Sequence, residues 1–322
     1  MSGQRSAAPW TPDALGPQDG RTALVTGANS GLGLHVATEL ARRGADVLMA
    51  CRDAARGEAA LERLRADVAD SGVKASAEVL VLDVADLAGV RRAAAEVAER
   101  RASVDVLVNN AGVMAPPFGR TADGFELQVG TNHLGHFALT GLLLPLLLAG
   151  DGARVVSVAS VAHRFGPLDR EDYLSERSYS RWHAYGQSKL SNLLFALELQ
   201  RRARSAGAAL VSTAAHPGLS DTNLWKATPL APHVPVGGAL GRALGRAVGH
   251  PPARGAWPLL RAAADPAARG GQYFGPDGFG GWKGFPVPER ASAAAYDTAD
   301  AAWLWARSAE WTGVGFEELA AR

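Results

Sequence analysis

The chain has one cysteine, Cys51, in 322 residues. A single thiol excludes an intrachain disulfide framework and any cysteine-rich metal site, and it fits a reducing compartment. Excess charge is absent as well: 33 Lys and Arg against 32 Asp and Glu leave a formal net charge of +1. Neither nucleic acid nor an anionic membrane surface is expected as a partner of so balanced a chain. Long apolar runs are missing too. The most apolar stretch, Leu142 to Ala149, is too short to span a bilayer and contains Pro145. Residues 1–20 hold Trp10, three prolines, Asp13 and Asp19 without an apolar centre, so they are expected as a flexible tail and not a secretory signal. The expectation is a soluble cytoplasmic protein with no metal site.

What is present is an alternation of short β-rich runs and helical spacing. Thr22 to Thr26 reads as a buried strand that stops at Gly27, and helical spacing runs from Leu34 to Arg43. The pattern repeats: strand Val47 to Ala50, helix 54–69, strand Val79 to Leu82, helix 87–101, strand Val104 to Val108. A long helix over 124–149, strand Arg154 to Val158, helix 184–205 and strand Leu210 to Thr213 follow. Such alternation predicts an α/β fold with a doubly wound parallel sheet covered on both faces. No linker divides the chain, so residues 21–322 are expected to form a single Rossmann-fold domain. Its substrate loops are placed at 161–184, 219–258 and 270–288, the last two rich in Pro and Gly.

Gly27-Ala28-Asn29-Ser30-Gly31-Leu32-Gly33 lies between a strand and a helix. Glycines there allow a tight turn and close backbone approach, and the helix N-terminus offers free N–H groups to a pyrophosphate. A structural strand-to-helix turn is the plainer alternative. Where an acid would grip a ribose 2′-hydroxyl, the second strand ends Ala50-Cys51-Arg52. An Arg there suits the 2′-phosphate of NADP, so NADP is the expected cofactor, with NAD the alternative. Asp53 is better explained as a helix cap. Asp83, followed by Val84, ends the third strand, where a carboxylate could meet an adenine amino group or merely hold a turn. Asn109-Asn110-Ala111-Gly112 follows the fourth strand at the ligand-binding edge of such sheets, where small residues let the backbone pass a ribose. Asn and Gly are also ordinary turn residues.

Tyr185 and Lys189 lie one helical turn apart and share a face. Hydride transfer at a carbonyl carbon needs a proton moved at its oxygen, and a Tyr near its reference pKa of about 10 is a poor base. The Lys189 ammonium is expected to favour the phenolate and bring it towards the working pH. Ser160, ending Val155 to Ser160, could hydrogen-bond the substrate oxygen, or be a turn serine. Asn132 is an amide in a largely apolar helix; it is either structural or holds a water that relays protons to Lys189.

Taken together, these motifs resemble the mainstream branch of the short-chain dehydrogenase/reductase family over about residues 21 to 225. Thr26-Gly27-x-x-x-Gly31-x-Gly33, Asn109 to Gly112, Ser160, Tyr185-x-x-x-Lys189 and Pro217-Gly218 occur in family order. The resemblance implies a catalytic tetrad of Asn132, Ser160, Tyr185 and Lys189, with Tyr185 as acid/base and Lys189 also on the nicotinamide ribose. It further places Pro217-Gly218 against the nicotinamide and Thr222 near its carboxamide. Ala50-Cys51-Arg52, Asn132 to Phe137, Gln187 to Asn192 and His216-Pro217-Gly218 are similar to the retinol-dehydrogenase-like group, which includes the catalytic domain of the WW-domain oxidoreductase. Ala159, where many members have a second Ser, and the long gap between Ser160 and Tyr185 depart from the mainstream pattern.

The function expected is an NAD(P)-dependent oxidoreductase interconverting a ketone or aldehyde and an alcohol. The alternatives are an NADP-sensing binding protein without turnover and a reductase of an activated carbon–carbon double bond. Tyr273, Phe274, Phe279, Trp282 and Phe285 are expected to close a fairly apolar substrate pocket. The family likeness also implies a homodimer or homotetramer through the long helices near 124–149 and 184–205.

Overall fold

The computed structural model describes residues 9–69, 71–73, 76–219 and 251–320. Strands β1 (Thr22–Thr26), β2 (Asp46–Cys51), β3 (Ser76–Val81), β4 (Val106–Asn109), β5 (Ala153–Val158), β6 (Leu210–Ala215), β7 (Tyr273–Pro276) and β8 (Pro286–Glu289) form one sheet. Their order is β3-β2-β1-β4-β5-β6-β7-β8, and every pairing is parallel except β7 with β8. The order reverses between β1 and β4, which opens a crevice at the carboxyl ends of the strands.

Alternating side chains feed two cores. Ala23, Val25, Val47, Met49, Val106 and Val156 face one layer, against α1 (Gly31–Arg42) and α2 (Ala54–Ala69). Leu24, Leu48, Leu107 and Val155 face the other, against α3 (Leu87–Arg100). This period-two alternation between two apolar faces makes the strands near-continuously apolar in sequence.

The helix expected over 124–149 is broken. A turn α4 (Leu127–Val129) is capped by the buried Glu126 carboxylate and leads into a wide turn over Gly130–Leu134. There the Gly135 N–H donates to the Gly130 carbonyl, an i to i+5 bond. Two further helices follow, α5 (Gly135–Leu142) and α6 (Leu144–Ala149), with Pro145 in the first turn of α6. Proline is tolerated there because its missing N–H has no partner to lose.

Helix α7 (Arg181–Ser205) runs beneath β5 and β6 and is buried on most of its surface. After α8 (Pro252–Gly255) and α9 (Trp257–Ala264), the chain adds β7 and β8 and then α10 (Thr298–Thr312). The segment 270–288 is therefore partly strand: Tyr273 and Phe274 are core residues of β7 and do not belong to a loop. Helix α10 and the residues after it cover α5 and α7. Phe137 meets Trp305 and Phe316 at ring distances of 5.3 and 5.0 Å, and Phe195 meets Trp305 at 5.8 Å. Helix α10 thus covers part of the two helices through which the family likeness places a subunit contact.

Candidate active site

Gly27 and Gly31 have φ of +67° and +55°, left-handed values that glycine takes without Cβ strain. A Cβ on Gly33 would lie 2.5 Å from the Gly27 carbonyl oxygen and 2.6 Å from Asn110 Nδ2. Only glycine lets α1 start this close to the loop. Ser30 stands at the N-cap without using its hydroxyl as a cap. It lines a cavity of about 730 Å³ with Gly27, Asn29, Gly31 and Leu32. The loop and the first turn of a twelve-residue helix thus form a cradle suited to a pyrophosphate.

The loop after β4 is tied to this cradle. Thr26 Oγ1 accepts the N–H groups of Asn110 and Ala111, both at 2.9 Å, and Asn110 Nδ2 donates to the Thr26 carbonyl at 2.7 Å. Asn110, Ala111 and Gly112 line the cavity. Asn109 does not: it is buried and its Nδ2 donates to Thr140 Oγ1 at 3.0 Å. Asn109 and Gly33 shape the site without lining it.

Arg52 is exposed at the cavity edge after β2, and Arg56 lines the same end. Sequence reading missed Arg56, although its position four residues beyond Arg52 was a usable signal. Asp53 caps α2, accepting the Arg56 N–H at 3.0 Å. Asp83 and Val84 line the cavity after β3, and Asp83 also holds a turn by accepting the Ala85 N–H at 2.9 Å. The competing cap belongs to Asp86, which accepts the Ala88 N–H at 3.0 Å. Thr131, also missed, lines the cavity with a buried hydroxyl that has no hydrogen-bond partner.

At the far wall Ser160, Tyr185 and Lys189 come together. Ser160 lies two residues past the end of β5, accepts the Ala162 N–H at 3.2 Å, and sits close enough to the Tyr185 hydroxyl to act on it. Lys189 Nζ donates to the Val158 carbonyl at 3.0 Å and lies 5.8 Å from the Tyr185 ring centre. Burial pushes the Tyr185 hydroxyl up to about 12, against the pull of the Ser160 hydrogen bond. Burial also brings Lys189 down to about 8. Desolvation disfavours both charged forms, and the influence that lowers Tyr185 here is Ser160, not the expected Lys189.

Asn132 is fully buried within the wide turn and does not line the cavity. Its Oδ1 accepts the Val113 N–H at 2.8 Å, while Nδ2 donates to the Val113 carbonyl at 3.0 Å and to Ser188 Oγ at 2.9 Å. The amide pins the loop after β4 to α7. Pro217 and Gly218 line the cavity after β6, and Thr222 lies outside the described residues, as do positions 220–250 of the expected loop 219–258.

Apolar lining comes from Met114, Pro116, Phe165, Trp182 and Leu219; Phe165 belongs to the expected 161–184 loop, whose last four residues, Trp182 among them, form the first turn of α7. None of the five aromatic residues expected to close the pocket lines it. Tyr273 and Phe274 are buried in β7, Phe285 packs near Trp257, and Phe279 and Trp282 sit on an exposed tip.

Comparison with known proteins agrees with this geometry. Residues 21–231 match the family described as short chain dehydrogenase. Retinol dehydrogenase 14 of Mus musculus is 41% identical over 269 residues, covering 81% of this chain and 79% of the relative. Retinol dehydrogenase 13 of Homo sapiens is 40% identical over 298 residues, covering 92% and 85%. The polyprenol dehydrogenase of Mus musculus is 41% identical, covering 82% and 78%. Among solved structures, an uncharacterized protein from Mycobacterium paratuberculosis superposes with a TM-score of 0.78 at 44% identity, covering 96% of this chain and 99% of that one. An NAD(P) dependent gluconate 5-dehydrogenase from Beutenbergia cavernae, solved with bound NADP, gives a TM-score of 0.59 at 29% identity, covering 80% and 95%. The chain belongs to the short-chain dehydrogenase/reductase family of NAD(P)-dependent oxidoreductases, in its retinol-dehydrogenase-like group.

Proposed function

We propose that the protein interconverts an apolar ketone or aldehyde and the corresponding alcohol, with NADP(H) as the preferred coenzyme. The observation that carries this reading is the meeting of Ser160, Tyr185 and Lys189 on the lining of the same cavity that the Gly27–Gly33 cradle opens into. The bound nicotinamide supplies the hydride in reduction or accepts it in oxidation. Ser160 Oγ donates a hydrogen bond to the substrate oxygen and steadies charge developing there. In reduction Tyr185 Oη gives its proton to that oxygen as hydride reaches the carbonyl carbon; in oxidation it takes the proton back. A hydroxyl held near 12 is protonated across the neutral range, the form an acid requires. Lys189 holds the nicotinamide ribose, and Asn132 keeps the loop and α7 in register, with a water relay to Lys189 as its further role.

Arg52 and Arg56 at one edge of the cavity support NADP, since two guanidinium groups suit a 2′-phosphate. Asp83 and Val84 serve the adenine, and Pro217, Gly218 and Thr222 the nicotinamide. Met114, Phe165 and Trp182 support an apolar substrate, the class to which retinol and polyprenol, named in the relatives, also belong. Cytoplasmic residence and a homodimer or homotetramer are part of the proposal, with any subunit contact outside the faces of α5 and α7 that α10 covers. No helix among the described residues is long and apolar enough to cross a membrane.

The test follows absorbance of the nicotinamide band with NADPH and a panel of apolar ketones and aldehydes, and with NADP and the matching alcohols. Turnover that Tyr185→Phe abolishes supports the reading. Coenzyme binding without turnover on any member of the panel overturns it and favours the sensor alternative.

A further inference from the structure

Beside the Pro217-Gly218 turn lie a buried histidine and a partly buried carboxylate that the chemistry above does not use. His216 follows β6 with no exposed surface, and its Nδ1 accepts the Gly218 N–H at 3.1 Å. An imidazole that accepts at Nδ1 carries its proton at Nε2. That Nε2 lies 2.7 Å from Glu289 Oε1 at the end of β8. The approach is close but bent, since neither atom has a well-aligned hydrogen bond.

Two glycines make room for this pair. A Cβ on Gly275 would fall 2.0 Å from His216 Nε2 and 2.8 Å from Glu289 Oε1. A Cβ on Gly281 would fall 3.2 Å from His216 Cε1 and 3.6 Å from Glu289 Oε2. The turn itself is gripped from a second side: the Leu219 N–H donates to the Trp282 carbonyl at 3.0 Å, and Gly218, at φ +70°, has no space for a Cβ against that carbonyl.

We propose that Glu289 and His216 are a positioning pair that fixes the Pro217-Gly218-Leu219 turn, and through it the nicotinamide half of the coenzyme, with the Trp282 carbonyl as the opposing jaw. The carboxylate keeps the ring proton on Nε2. If that proton moved to Nδ1, two donors would face each other at Gly218 and the turn would lose its hold. Neither side chain lines the cavity, so the pair acts only through the backbone it holds. This inference rests on the coenzyme reading above.

The experiment compares two ligands, NADPH and 2′-phospho-ADP-ribose, which lacks the nicotinamide. Affinities are measured by fluorescence and calorimetry on wild type, Glu289→Leu and Glu289→Gln. Leu removes the carboxylate and should weaken NADPH by about tenfold, the scale of losing one close charged partner, while 2′-phospho-ADP-ribose stays within about twofold. Gln restores an acceptor and should recover most of the NADPH affinity. Equal loss of both ligands, or loss of neither, overturns the pair. Ring ¹⁵N shifts of His216 in the wild-type protein provide a check that needs no substitution: protonated Nε2 is required, and protonated Nδ1 overturns the proposal even if the Leu variant does not fold. Wild type binding neither ligand would sink the coenzyme reading itself, a different outcome from wild type binding both and the variant changing nothing.

Discussion

His136 Nε2 lies 2.9 Å from Thr26 Oγ1, joining a buried helix to the strand end that carries the glycine loop. The other ring nitrogen, Nδ1, faces the Asn132 carbonyl at 3.1 Å and must donate to it, so Nε2 accepts the Thr26 hydroxyl hydrogen. The Val108 carbonyl, at 3.3 Å, is the weaker alternative acceptor for that hydrogen. One imidazole thus bridges the dinucleotide cradle and the wide turn holding Asn132.

Replacing that bridge should loosen both ends. His136→Phe keeps much of the ring volume but leaves the Asn132 carbonyl and the Thr26 hydroxyl short of a buried partner. Unfolding free energy should fall by about 2–3 kcal/mol. Urea denaturation measures it, and a change below half a kcal/mol would mean the bridge is not formed.

The same burial gives the protein an acid weakness. Desolvation brings His133 down to about 3 and His136 down to about 4 from an ordinary 6.5. Below pH 6.5 the unfolded chain binds these protons and the folded one does not, so their contribution to stability is present above 6.5 and lost as pH falls towards 4. Urea midpoints should drop between pH 6.5 and 5, ahead of the carboxylate range. His136→Phe should show a shallower drop than wild type.

Tyr185 sets the pH response of turnover. With its hydroxyl near 12, kcat/KM for alcohol oxidation should climb with pH through the range 7 to 9, because the base form is scarce, while carbonyl reduction should show no such climb. Tyr185→Phe should cost on the order of 10³-fold in kcat with NADPH still bound. Parallel pH profiles in the two directions would contradict the assignment.

Arg52 tests coenzyme choice. Arg52→Ala should cut the ratio of kcat/KM for NADPH over NADH by about tenfold, the scale of one charge-assisted contact. NADH kinetics should barely move. An unchanged ratio would remove Arg52 and leave Arg56 to carry the 2′-phosphate.

How far the sequence led depends on whether neighbours in the chain are neighbours in space. The strand-turn-helix at 22–42 was legible because glycine spacing, apolar runs and helical period all lie within one local unit. Tyr185 and Lys189 were legible for the same reason. The environment that sets their protonation was not, since it comes from β5, the loop after β4 and α7 meeting around them. Asn132 was visible as a misfit in an apolar helix, but the wide turn that lodges it depends on Gly135 bonding back to Gly130, which no residue pattern announces. Tyr273 and Phe274 were misplaced because a four-residue strand amid glycines and prolines looks like a loop until β6 pairs with it.

The covering of α5 and α7 by α10 has a consequence for synthesis. Phe137 and Phe195 acquire Trp305 and Phe316 as neighbours only after the ribosome has moved from Ser205 through Thr298 and beyond. Until then the nascent chain carries two greasy helices without their lid. Expression at lower temperature or with holdase chaperones should raise the soluble yield, and truncation before Thr298 should send the product to inclusion bodies.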